Sequence, residues 1–150
     1  MKILILLINL ICCLTLTGQK NAVFDQRLAD SLGADKNGMK MYQFVMLTTG
    51  PNTTLSKDSV GLFFKGHMEN IGHLVKEGKL IVAGPFGQNL HSMRGLFILN
   101  VSTKEEAERL IDTDPAIKNG LLHAEIVPWY GSAALPLYLP HVDSIVKEKR

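Results

Sequence analysis

The chain has 150 residues, 46% of them hydrophobic and 20% charged, which is enough for one domain with its own core. Its 16 Lys and Arg are interspersed with 14 Asp and Glu, for a net charge of +2. That balance offers no basic face for nucleic acid, and the only clustered charge is KEKR at 147–150.

The first 18 residues differ from the rest. One Lys, a nearly unbroken apolar run over 3–16 and a small or polar exit form the pattern of a secretory signal peptide at 1–18, cleaved after Gly18. The run is shorter than the ~20 residues of a membrane-spanning helix. The expectation is therefore an exported, periplasmic or secreted chain with no stable membrane span once the signal is removed. Lipoprotein anchoring is disfavoured, because Cys13 follows Cys12 and not a small residue. Both cysteines lie in this segment, so the mature chain is expected to have neither a disulfide nor a thiol nucleophile.

Residues 19–38 form a polar N-terminal extension. Phe24, Leu28 and Leu32 at helical spacing predict a short amphipathic helix ending near Gly33. A strand follows over 39–50. Met41, Val45 and Leu47 share one of its faces with Gln43, and Tyr42, Phe44 and Met46 share the other. Gly50-Pro51 opens a loop. Helical periodicity then runs over 60–77 and is closed by Gly78. A strand at 79–85, a polar loop at 86–93 and a strand at 94–101 come next. Ser102 and Glu105 read as a capping box opening a helix over 103–112. After DPAIKNG a fourth strand spans 121–128, and no internal repeat is present. The domain is placed at 39–130, with a tail at 131–150.

This order is the split β-α-β arrangement, an α+β ferredoxin-like fold: one antiparallel sheet with two helices on one face. The first three strands are largely apolar on both faces and two helices cover only one of them, so the other face lacks a cover. Such a face is a partner site, and a homodimer packed sheet to sheet is expected, with the tail available to wrap the same partner.

Two residues are candidates for chemistry. On the helix over 60–77, Val60, Phe63, Phe64, His67, Ile71 and Leu74 share one face, while His73 points away towards Glu69 and Lys76. His67 is either a core histidine bonded to a backbone carbonyl or a pocket acid or base. Left unpaired, it would cost about 1–3 kcal/mol. Asp114 precedes Pro115, an ideal helix start, so it either caps a short turn or holds an imidazole in one tautomer. There is no HExxH metal spacing, no phosphate-binding loop and no dinucleotide fingerprint, and no cofactor or metal is expected.

GHMENIGHLVKEGKLIVAGP, RGLFILNV, the Glu-Glu-Ala of the second helix and DTDPAIKNGLLHAEIVPWYGSAAL together resemble the YCII-related (YciI-like) proteins. The likeness is closest to a secreted subgroup with a similar GADKNGM-type segment, and it spans roughly 24–135. It implies a dimeric α+β barrel. It also implies that His67, eleven residues before Gly78, and Asp114 of the Asp-Pro step form the active-site pair, with His73 outside it. The best-understood relative removes hydrogen chloride from a chlorinated aromatic, and the wider superfamily includes lactone isomerases and cofactor-free oxygenases. The implied common element is proton movement on a small aromatic or carbonyl-bearing molecule. The expected function is therefore a cofactor-independent lyase or isomerase, the alternatives being a non-catalytic small-molecule binder or a structural dimer. Arg94 is the candidate to attract an anionic substrate. Phe86 and Trp129 are candidates to line the pocket mouth, with surface exposure and simple packing as the plain alternatives.

Overall fold

The alternation along 39–49 produces the central strand of the sheet, β1 (Met39–Thr49). The computed structural model describes residues 24–147, so the expected signal segment, both cysteines and the last three residues lie outside the described part. β1 pairs antiparallel with β3 (Met93–Leu99) on one side and with β4 (Leu122–Ser132) on the other. β2 (Leu80–Pro85) adds to β3, so the order is β2-β3-β1-β4. α1 (Gln26–Leu32) precedes the sheet; α2 (Lys57–Lys76) connects β1 to β2; α3 (Lys104–Ile111) and the single turn α4 (Pro115–Lys118) connect β3 to β4. This is the α+β ferredoxin-like arrangement.

Successive side chains of a strand point to opposite faces. Val45 and Leu47 of β1, with Phe97 and Leu99 of β3, pack against Leu74 of α2 and against Ala107 and Ile111 of α3. Each such large side chain, fully buried, contributes about 1.5–3 kcal/mol. Gln43 is the polar exception on this side; its amide donates to Ser102 O at 3.1 Å, while its Oε1 has no partner among the described residues. Phe44 and Met46, with Leu96 and Ile98 beside them in register, form the other side and are only half-buried.

Several boundaries differ from the expectation. α2 begins at Lys57, capped by the Ser56 hydroxyl, which accepts from Ser59 N. Its first turn is polar, so apolar periodicity becomes visible only at Val60. The cap of α3 lies one residue later than the Ser102 box: Thr103 Oγ1 accepts from Glu106 N at 3.3 Å. Ser102 instead offers its carbonyl to Gln43. β4 runs through Pro128 to Ser132, which is tolerated because β4 is an edge strand. The tail coils into a 3-10 helix, Leu135–Ser144, whose Tyr138 hydroxyl donates to Ile81 O of its own chain. The segment expected to wrap a partner thus touches the chain's own β2.

Candidate functional site

His67 is one of two buried residues on α2, with Leu74. The spacing of seven is two helical turns, so both point at the sheet. The imidazole has two aromatic neighbours: Phe64, one turn earlier, at 5.6 Å between ring centroids, and Phe97 of β3 at 5.8 Å. The Phe97 ring is close to parallel with it, the planes differing by 26°.

One edge meets Asp114. His67 Nδ1 is 2.6 Å from Asp114 Oδ2, and the carboxylate is fully buried. Its other oxygen, Oδ1, accepts from Ala116 N at 2.9 Å and Ile117 N at 3.4 Å, capping α4. One oxygen thus caps the turn, and the other lies against the imidazole. An ionised carboxylate only accepts, so opposite an ionised Asp114 a neutral His67 would carry its hydrogen on Nδ1 and keep its lone pair on Nε2. Nε2 has no hydrogen-bond partner among the described residues, yet it is not among the sealed, unpartnered polar atoms.

His67 also lines a cavity of about 1280 Å³ bounded mainly by α2 and the β2–β3 half of the sheet, with Leu47 and Thr49 of β1 beside them. Val60, Phe64 and Met68 of α2, Ala83 of β2, Phe86 of the following loop and Phe97 supply its apolar lining. Gly95 occupies the floor without a side chain; a Cβ there would come within 2.8 Å of Gly84 O. The loop between β2 and β3 is ordered by Asn89. Its amide nitrogen donates to Gly87 O and Met93 O, and its oxygen accepts from His91 N and Met93 N.

The structure brings His67, Asp114, Phe86 and Arg94 to this place. Arg94 is exposed, lines the cavity and pairs with no carboxylate among the described residues. Lys65, also at the cavity, is 3.8 Å from Glu69. Trp129 is placed elsewhere. It sits on the opposite face of the sheet beside Tyr42, ring centroids 5.7 Å apart, and does not line the cavity. Four residues of alternation beyond Glu125 put it there, a consequence of β4 continuing past Pro128. His73 is exposed and pairs with Glu77 at 3.3 Å, one turn on, not with Glu69 or Lys76. That Phe64 and Phe97 both neighbour the imidazole was not apparent from the sequence. Phe64 shared the helix face with His67, but nothing local ties Phe97 to either. Among the described residues no three His, Cys, Asp or Glu side chains gather as a metal-ligand set.

No protein-family model matches the chain, and no curated protein matches it in sequence. Among solved structures it is similar to 5-chloro-2-hydroxyhydroquinone dehydrochlorinase (TftG) from Burkholderia phenoliruptrix AC1100, in complex with 2,5-dihydroxybenzoquinone. The identity is 19% and the TM-score 0.40, over 58% of this chain and 90% of that one.

Proposed function

We propose that the protein is a cofactor-independent lyase or isomerase acting on a small aromatic or carbonyl-bearing molecule, with His67 moving a proton and Asp114 orienting it. The observation that carries this reading is the 2.6 Å bond from His67 Nδ1 to a fully buried carboxylate beside an accessible cavity. With hydrogen held on Nδ1, Nε2 takes a proton from an acidic C–H or O–H of the bound molecule. The electron pair left behind has two outlets. It shifts to another atom, to which His67 returns the proton, giving isomerisation. Alternatively it expels a leaving group with its own electron pair, and His67 then gives its proton to that group or to water. In both cases the transient imidazolium is stabilised by the Asp114 carboxylate.

Arg94 would attract an anionic group, and Phe86 would pack on an apolar portion of the ligand. Trp129 has no part in this proposal, because it lies across the sheet. The likeness of the GHMENIGH and DTDPAIKNG segments to the YCII-related proteins supports the same pair. The proposal includes a homodimer through the face carrying Phe44, Met46, Leu96 and Ile98, supported by the apolar character of that face. It also includes export, supported by the apolar leader over 3–16.

The test is proton exchange. Enolisable carbonyl compounds and hydroxylated aromatics are incubated with the protein in D₂O and followed by NMR. Deuterium uptake or elimination that disappears in His67→Asn is expected. A ligand that binds both proteins equally, with neither exchange nor product, would establish a non-catalytic binding module instead.

A further inference from the structure

Gly66 lies inside a 20-residue helix, where glycine is an unfavourable choice because of its backbone freedom. Three glycines share that helix: Gly61, Gly66 and Gly72. A Cβ at Gly61 or Gly72 would meet nothing within 4 Å. At Gly66 it would meet the Pro115 ring, at 2.7 Å from Cγ and 3.2 Å from Cβ. The bare backbone of α2 is thus laid against a rigid ring at one position only.

That contact borders the pair directly: Gly66 precedes His67, and Pro115 follows Asp114. On the other flank, the Thr113 hydroxyl reaches Asn70 Oδ1 at 3.0 Å. The residues meet in antiparallel order along one seam: 66 with 115, 67 with 114, 70 with 113. Neither side yields easily. Asp114 is tied to the amides of Ala116 and Ile117, and α2 is seated by buried His67 and Leu74.

We infer that Gly66 is a positioning residue: its missing side chain lets α2 approach Pro115 closely enough for His67 Nδ1 to bond Asp114. This rests on the proposed role of that pair. An alanine at 66 must move α2 away from the ring or rotate it, and either motion lengthens the 2.6 Å bond. Alanine at 115 removes the Cγ and Cδ atoms and with them the 2.7 Å clash, leaving only the milder 3.2 Å contact with Cβ.

The test is ¹⁵N and ¹H NMR of the His67 ring in the folded full chain, comparing wild type with Gly66→Ala, Pro115→Ala, the double variant and Gly72→Ala. The expected result is a downfield Nδ1–H signal that is lost or moved upfield in Gly66→Ala, recovered in the double variant and unchanged in Gly72→Ala. If Gly66→Ala does not fold, the double variant is expected to fold and show the signal. A folded Gly66→Ala with an unaltered His67 signal, or a double variant that fails to recover it, overturns the inference. Where turnover is found, Gly66→Ala should lower it by about 10²-fold, as for a misplacement near 1 Å. The ring signal does not depend on turnover, so an inactive protein with the expected NMR pattern would refute the proposed reaction and leave the positioning role standing.

Discussion

Two histidines on α2 each face a carboxylate, and the two places teach different things. His73 and Glu77 meet at 3.3 Å on an exposed helical surface, one turn apart, where water competes for both groups. His67 and Asp114 meet at 2.6 Å across 47 residues of sequence, the imidazole beside two aromatic rings and the carboxylate wholly sealed. The partners are alike in kind. Burial decides whether the carboxylate directs the imidazole or merely passes near it, since a charge without solvent depends on its remaining partners.

The sharpest way to break the inner pair is Asp114→Asn. Asparagine still caps α4 through its oxygen, which leaves its amide N–H₂ towards His67 Nδ1. The ring must then place its hydrogen on Nε2, and the lone pair facing the cavity is lost. Turnover is expected to fall by roughly 10⁴-fold, and the ¹⁵N spectrum of His67 should show the exchanged tautomer.

His67→Leu comes next. If the histidine only filled space, leucine would leave stability unchanged or raised. Asp114 Oδ2 would then have no partner in a buried site, so a loss of about 1–3 kcal/mol is expected in urea unfolding. A gain in stability would show that Asp114 does not depend on the imidazole.

Asp35 offers a different contrast, being exposed but multiply bonded. The Tyr130 hydroxyl, followed by the amides of Met39 and Asn37, holds its carboxyl below the ordinary value of 3.8. A depressed folded value means that its stabilising contribution is complete above 3.8 and is lost as pH falls through the lower folded value. Amide exchange at Met39 and Asn37 should accelerate in that acidic window. In Asp35→Asn, exchange at these amides should no longer respond to acid in this way.

The smallest effect belongs to the outer pair. Glu77→Gln is expected to change stability by less than about 0.5 kcal/mol and to leave the His67 ring signals untouched. A change in those signals would mean that the two histidines communicate along α2.

Much of this could be read in advance, and the parts that could not share a cause. Apolar spacing along α2 placed His67 towards the sheet, because helical geometry converts sequence intervals directly into faces. The Asp-Pro step announced a cap at Asp114 for the same local reason. Capping signals with neighbouring alternatives were less decisive: Ser102 and Thr103 compete for one helix end, and Thr103 takes it. Trp129 was misplaced because β4 keeps its alternation through Pro128, which an edge strand permits.

The sequence by itself determined the order of strands and helices, the two apolar faces of the sheet and the inward aim of His67. All of these follow from periodicities within a few residues. Only the tertiary structure decided that Asp114 divides its two oxygens between a helix cap and an imidazole, that Phe97 closes over the ring, and that the tail lies on its own β2. Those outcomes depend on how closely separate elements pack, and packing distance is set by side-chain volumes meeting across the fold, not by any interval along the chain.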